Sequence, residues 1–214
     1  MAERGRWRVS AAVTSAVLAA TVGLACAAPE RAAPPPDFGP TAPAREPVSG
    51  AATSDPAAPV SPREEARPRR ILVPRVGLDA RIEPVGVASD GSMALPTDPA
   101  VAGWYRFGPV PGADRGSAVL AGHVDDETGD LGEFAALYDV RRGDRIEVRR
   151  SGADPVVHHV VSRSTVPQED LPPSVFRREG DPVLTLITCA PPFLPDEGGY
   201  QSNLVVTATP VEEP

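Results

Sequence analysis

Short β-type runs separated by Gly, Pro and Asp fill the chain from residue 71 onward, and they limit what it can fold into. Residues 145–149 alternate polar and apolar side chains, as a half-buried strand does, and residues 142–144 supply a turn just before them. Helical stretches are short, at 132–138 and 174–176. About seven short strands therefore predict a mainly β domain, either a closed barrel or a sandwich. The strands are expected within 70–73, 80–82, 117–121, 144–149, 156–162, 183–188 and 203–208.

The N-terminus has the pattern of an export segment. Three arginines within residues 1–8 precede an uncharged run of 21 residues at 9–29 that is rich in Ala, Val and Leu. Such a run is a secretory signal peptide or a signal-anchor helix, and its length is close to that of a bilayer span. Lipidation of Cys26 is a third possibility. Residues 1–30 are thus expected to direct the chain to the extracytoplasmic face of the plasma membrane or the cell envelope, with the positive flank inside.

A proline-rich linker is predicted between the export segment and the folded part. Residues 27–68 hold 11 of the 27 prolines and few large apolar side chains, so they cannot bury enough surface to fold alone. We expect a disordered Ala/Pro-rich linker over 31–68 and one folded domain over 69–214. The formal net charge of −8 argues against a nucleic-acid partner, because binding to phosphates needs positive charge.

Cys189 is the candidate nucleophile. It ends the apolar run Thr185-Leu-Ile-Thr-Cys189, and without the export segment it is the only cysteine, so it forms no intramolecular disulfide. Pro191 and Pro192 are expected to end the strand there, before a long loop over 190–199. The competing interpretation is a buried structural thiol. His123 follows another apolar run, and if the two strands are neighbours, its imidazole and the thiol can carry out acyl transfer.

Other titratable side chains leave alternatives open. Asp125 and Asp126 could orient His123 or raise its pKa, or they could belong to a solvated acidic turn. Calcium binding by Asp126 with Glu127 and Asp130 would need more oxygen ligands than these three supply. The adjacent residues 158 and 159 are histidines within a predicted strand, so they point to opposite faces and are expected to be structural. No cofactor or metal site is predicted.

These motifs together resemble the sortases, the cysteine transpeptidases of Gram-positive surfaces. Thr185-Leu-Ile-Thr-Cys189 is similar to their TLxTC signature, and Ala121-Gly-His-Val-Asp125 to their catalytic histidine segment. Three further segments are similar to the actinobacterial class labelled F or E. They are Gly103-Trp-Tyr105, Pro111-Gly112 and Tyr200-Gln-Ser-Asn-Leu-Val-Val206.

The resemblance implies a fold, a reaction and its partners. It implies an eight-stranded β-barrel with one or two short helices. It implies cleavage of an LPxTG-like C-terminal sorting signal between Thr and Gly, through a thioacyl-enzyme on Cys189, with His123 as general acid and base. An amine of a peptidoglycan precursor or a pilin would then release the product. Transpeptidation is expected rather than hydrolysis, because the family joins proteins to the wall.

One departure from the family pattern concerns the oxyanion donor. Sortases carry an Arg about 12 or 13 residues after the cysteine, where this chain has Gln201 and Ser202. Gln201 or Asn203 could donate instead, or Arg106 could reach in from another loop. An enzyme that is slow or degenerate is the remaining possibility. Removal of one such donor costs about 10²–10³ in rate in other enzymes.

Two other functions compete with this interpretation. An L,D-transpeptidase would carry His and Gly immediately before the cysteine and Arg after it, whereas Ile187 and Thr188 precede Cys189 and Ala190 follows it. This class is therefore disfavoured. A non-catalytic or degenerate exported β-barrel that binds a ligand is the alternative function, and the missing Arg is the observation that favours it.

Overall fold

The computed structural model describes residues 36–40 and 66–211. The predicted export segment 1–30 and most of the predicted linker 31–68 lie outside these residues. Within them, no helix is both long and apolar enough to cross a membrane. The eight strands are β1 (Pro68–Val73), β2 (Leu78–Val85), β3 (Val101–Tyr105), β4 (Ser117–Ala121), β5 (Arg145–Arg150), β6 (Val156–Pro167), β7 (Val183–Leu194) and β8 (Gly199–Pro210).

These strands close into one barrel in the order β1-β2-β3-β4-β7-β8-β6-β5. β2 pairs with β3, and β4 with β7, in parallel, whereas the other neighbours are antiparallel. The prediction of a mainly β, closed eight-stranded barrel is confirmed. The helical elements of the described residues are short 3₁₀ helices, at Pro74–Val76, Glu133–Asp139, Gln168–Asp170, Pro173–Phe176 and Pro195–Glu197.

Alternation along the strands separates a closed interior from a second apolar cluster. On β7, Leu184, Leu186 and Ala190 belong to the main core, which also holds Phe134 and Leu137 from the 3₁₀ helix Glu133–Asp139. Ile187, on the other face of β7, belongs instead to a small cluster outside that core. This cluster consists of Val119, Ala121, Val175 and Ile187. The outer face of the β4–β7 pair is therefore apolar, and other side chains, such as Val175, pack against it.

The structure adds one strand and corrects the end of another. β3 was missed because it is only five residues long and contains Gly103, which weakens a strand pattern. The expectation that the strand ends at Cys189 is wrong, since β7 continues to Leu194. The prolines interrupt pairing only between Ala190 and Phe193, because they lack an N–H, and the ladder then resumes at Phe193 opposite Tyr200. The turn to β8 is consequently short.

Candidate active site

The parallel pairing of β4 with β7 makes neighbours of the two chain segments that lead to His123 and Cys189. Ala121 is in register with Ile187, and the Gly122 N–H donates to the Ile187 carbonyl at 3.1 Å. His123 lies two residues after Ala121, and Cys189 lies two residues after Ile187. Adjacent strands are about 4.8 Å apart, so the two backbones are neighbours at this point. The condition set from the sequence, that the two strands be neighbours, is met.

Close backbone contacts fix the segment that carries His123. A Cβ atom at Gly122 would lie 2.7 Å from the Phe134 ring, so only glycine lets the ring pack there. A Cβ atom at Gly132 would lie 2.4 Å from the His123 carbonyl oxygen. The imidazole Nε2 is 2.7 Å from the Pro96 carbonyl oxygen. Because a carbonyl only accepts, Nε2 carries the proton in this contact, which leaves Nδ1 to exchange one.

Cys189 is half-buried, and its surroundings favour the neutral thiol. Burial raises the pKa of Cys189, and the carboxylate of Asp125 raises it further. The backbone is held as well, since the Tyr138 hydroxyl donates to the Cys189 carbonyl at 2.9 Å. A thiol in such surroundings needs a base before it can act as a nucleophile, and His123, on the segment that follows the neighbouring strand, is the candidate.

A cavity of about 630 Å³ opens onto Cys189. Its walls are mostly apolar, and His123 is not among its lining residues. A space of this size suits several residues of an extended peptide or a small ligand. The cavity is lined by Val87, Asp90, Gly91, Ser92, Met93, Leu95, Tyr105, Ala121, Gly122, Gln168, Leu171, Pro173, Phe176, Ile187, Thr188, Cys189 and Asn203. The segment 165–181 contributes four of these residues.

The three candidate oxyanion donors occupy different places. Asn203 pairs directly opposite Cys189 and lines the cavity. Gln201 donates its amide to the Gly199 carbonyl at 2.8 Å and so belongs to the β7–β8 turn. The Arg106 guanidinium lies 4.9 Å from the centre of the Phe107 ring, outside the cavity lining. Of the three, only Asn203 is brought to the cavity beside the thiol.

The acidic segment after His123 divides into two parts. Asp125 accepts a hydrogen bond from the Tyr200 hydroxyl at 2.5 Å and influences the thiol. Asp126 instead closes a turn, and its carboxylate accepts from the Thr128 hydroxyl and from the backbone N–H groups of Thr128 and Asp130. These bonds, first of all that from the hydroxyl, hold the pKa of Asp126 below the usual range. In the described part of the chain, no three His, Cys, Asp or Glu side chains form a group able to hold a metal ion.

The histidine pair of β6 lies away from this site. His158 is fully buried and His159 is exposed, as expected for neighbours on opposite faces of a strand. Burial lowers the pKa of His158 to about 4, with a further contribution from Arg150. It lines a second cavity of about 310 Å³ with Val156 and Pro210. His158 is thus a neutral core residue.

Sequence patterns did not reveal several residues that support the site. Pro96 contributes a backbone carbonyl, which carries no side-chain signal. Tyr138 and Tyr200 reach the site from segments 51 and 75 residues away from their partners. A tyrosine within an amphipathic helical stretch is usually read as a core residue, so only the fold shows where its hydroxyl goes.

Comparison with known proteins agrees with this architecture. A family model described as "Sortase domain" matches residues 71–211. Sortase C-1 from Actinomyces oris has 25% identity over 67% of this chain and 73% of its own, with a TM-score of 0.52. The lid mutant of Streptococcus agalactiae sortase C1 has 20% identity over 71% and 72%, with a TM-score of 0.52. Group B Streptococcus Pilus Island 1 sortase C2 has 21% identity over 69% and 75%, with a TM-score of 0.52. A search of curated proteins found no significant match.

Proposed function

This chain belongs to the sortase family of transpeptidases, and we propose that it cleaves a C-terminal sorting signal through a thioester on Cys189 and transfers the product to an amine. The observation that supports the proposal is the parallel register of β4 and β7, in which Ala121 pairs with Ile187, two residues before His123 and Cys189 respectively, next to the large cavity that Cys189 lines. A thiol and an imidazole in this relation are the parts that acyl transfer needs.

In the acylation step, His123 takes the proton of the Cys189 thiol. The thiolate attacks the carbonyl carbon of the scissile peptide bond, and the C–N bond then breaks. The imidazolium returns its proton to the departing amine, so a thioester and a free amino terminus result. Because the pKa of Cys189 is raised, the thiolate is the minor form at neutral pH, and the rate is expected to rise as the pH approaches that pKa.

In the second step, an amine of a peptidoglycan precursor or a pilin attacks the thioester. It passes a proton to His123, and the Cys189 thiolate leaves and is protonated again. An export segment at residues 1–30, which would anchor the enzyme at the extracytoplasmic face of the membrane, would bring it to both substrates. The apolar lining of the cavity, including Leu95, Leu171 and Phe176, supports an LPxTG-like donor with an apolar first residue.

Asn203 is the proposed donor to the oxyanion. It stands opposite Cys189 on the neighbouring strand and lines the cavity, whereas Gln201 and Arg106 are engaged elsewhere. Its side-chain amide can donate to the negative oxygen that forms during attack, without the charge of an arginine. An actinobacterial class F or E assignment remains a prediction from the sequence.

The direct test is to trap the acyl-enzyme. The full chain is incubated with LPxTG-like and LAxTG-like peptides, and an adduct on Cys189 is sought by intact mass spectrometry with and without hydroxylamine. We expect an adduct that hydroxylamine releases and that Cys189→Ala lacks. Cys189→Ala should keep its fold, because the side chain is small and the substitution adds no volume. Turnover by folded Cys189→Ala would refute the assignment.

A non-catalytic or degenerate binding barrel is the second candidate. It is favoured by one observation, that the residues lining the cavity include no arginine in the described part of the chain. In that case a sorting peptide binds to wild type and to Cys189→Ala with equal affinity, and no adduct forms with any peptide. Calorimetric titration of both proteins separates the two functions.

A further inference from the structure

A short piece of the predicted linker is built into the edge of the barrel. Residues 36–40, which we name the strap, lie along β6. The backbones of Phe38 and Arg163 exchange two hydrogen bonds, each of 2.9 Å. The Asp37 carboxylate accepts from the Thr165 N–H at 3.0 Å and from its hydroxyl at 3.3 Å. β5 pairs with β6 only up to residue 159, so the strap takes the place of a neighbour beyond that point.

The contact is close enough to depend on a glycine. Gly39 has φ of +83°, and a Cβ atom there would lie 2.4 Å from the Val161 carbonyl oxygen. A side chain at this position would clash with β6, so Gly39 could be replaced only if the strap moved away from that strand or the strand shifted. By contrast, Gly77 has a similar φ of +75° but open space around its Cβ position. The chain thus contains its own control for backbone strain.

Arg163 connects the strap to the interior. It is 4% exposed, and its guanidinium donates to the carbonyls of Tyr138 at 2.6 Å and Val140 at 2.9 Å. The strap supplies a third carbonyl, that of Pro36 at 2.9 Å, and the Phe38 ring, whose centre is 5.1 Å from the guanidinium. A buried cation needs this many acceptors, so removal of the strap would leave Arg163 underpaired and free to shift.

Tyr138 continues the connection to the nucleophile. Its carbonyl accepts from Arg163, and its hydroxyl donates to the Cys189 carbonyl at 2.9 Å. We propose that the strap, acting through Arg163 and Tyr138, is a positioning element that sets the placement of Cys189. The role of Cys189 as nucleophile rests on the proposed function, whereas the connection itself does not. It follows that the working domain begins before residue 69.

The experiment compares Gly39→Ala with Gly77→Ala in the full chain. Deuterium exchange of the Phe38 and Arg163 amides reports whether the strap is docked. The pH midpoint of Cys189 alkylation by iodoacetamide reports the surroundings of the thiol. We expect Gly39→Ala to speed exchange of these amides by more than about tenfold and to move the midpoint to lower pH, because the thiol becomes less buried. Gly77→Ala should change neither quantity.

Tyr138→Phe tests whether the strap acts on Cys189 through Tyr138. It removes only the hydroxyl that contacts Cys189, so it should move the alkylation midpoint as Gly39→Ala does while leaving strap exchange unchanged. The double variant should show no further movement, because both changes act on one connection. Should Gly39→Ala fail to fold, Asp37→Ala loosens the strap without a clash. Where the chain turns over a sorting peptide, kcat should fall by about three- to tenfold with KM nearly unchanged.

Several outcomes would overturn the inference. Fast exchange of the Arg163 amide in wild type would mean that the strap is not docked. An unchanged alkylation midpoint with a released strap, or movements that add in the double variant, would mean that the strap does not act through Tyr138. Amide exchange and alkylation need no sorting peptide, so they test the role of the strap even in a chain without turnover. A lack of turnover with every peptide would count against the proposed function alone.

Discussion

Two histidines of this barrel lie in opposite surroundings. His123 sits just beyond β4, half-buried, with Nε2 bound to the Pro96 carbonyl and Cys189 on the adjacent strand. His158 lies within β6, is 1% exposed, and its Nδ1 has no hydrogen-bond partner among residues 36–40 and 66–211. Burial disfavours protonation of its imidazole, and the positive charge of Arg150 disfavours it further. One imidazole is hydrogen-bonded and partly accessible, and the other is buried and kept neutral.

The difference shows how the same side chain acquires two roles within one fold. A histidine just beyond a strand end is only half-buried and binds a backbone carbonyl, so its ring stays accessible to solvent and to a neighbouring group. A histidine inside the barrel meets mainly apolar atoms, so the cost of desolvation prevents it from charging. The position of each histidine relative to the end of its strand therefore decides the surroundings of its imidazole.

Substitution of each histidine in turn is the strongest test of this difference between His123 and His158. His123→Ala should lower the rate of acyl transfer by about 10²–10⁴, the usual contribution of a general acid and base. His158→Leu should leave the rate within about twofold, since sites without shared partners act independently. Single-turnover acylation measures both. Equal losses in the two variants would remove the distinction.

A second contrast concerns two side chains on β8. Asn203→Ala should lower the acylation rate by about 10²–10³, as expected for loss of an oxyanion donor. Gln201→Ala should have little effect, because that amide is bound to the β7–β8 turn. Gln201→Arg is a further probe, and faster turnover would indicate that the absent guanidinium is a real deficit. If Asn203→Ala turns over normally, another group stabilises the oxyanion.

The buried histidine should make stability depend on pH. Its pKa is about 4 in the fold and 6.5 when exposed, so the unfolded chain binds more protons between these values. The free energy of unfolding should therefore fall as the pH drops from 6.5 to 4, by up to about 3 kcal/mol from this group. Urea titrations at several pH values test this. In His158→Leu, that part of the pH dependence should be absent, and its persistence would assign the effect to other groups.

The smallest effect is expected at Asp125. Its charge contributes to the raised pKa of Cys189, second to burial. Asp125→Asn should lower that pKa and speed alkylation at neutral pH by roughly two- to fivefold, a size typical of partly solvated charges. Tyr200→Phe is the matched control, because it removes the hydrogen bond to Asp125 but keeps the carboxylate. Alkylation that responds to Tyr200→Phe alone would assign the effect to geometry.

Some of the strands could be predicted from the order of residues in the sequence. The runs at 117–121 and 183–188 became β4 and β7, since both are rich in aliphatic side chains and bounded by turn residues. β3 escaped prediction because five residues with a glycine give no clear alternation. The extension of β7 past Pro191 and Pro192 depended on a hairpin partner, Tyr200, that resumes the ladder.

The candidate site was predicted only in its two central residues. Cys189 and His123 stood out because thiol and imidazole are chemically distinctive and each follows an apolar run. Asn203 remained one of three possible donors until strand pairing placed it opposite the thiol. Tyr138 and Pro96 gave no signal, because a hydroxyl or carbonyl becomes relevant only once its partner is known.

The sequence alone determined the strand-rich class, limited the architecture to a closed barrel or a sandwich, and singled out Cys189 and His123 as candidates. These depend on local alternation, turn residues and side-chain chemistry, all of which are properties of short segments. The tertiary structure alone decided that β4 and β7 are parallel neighbours and that Arg163 links residues 36–40 to Tyr138. Such contacts join segments far apart in the chain, and only closure of the barrel brings them together.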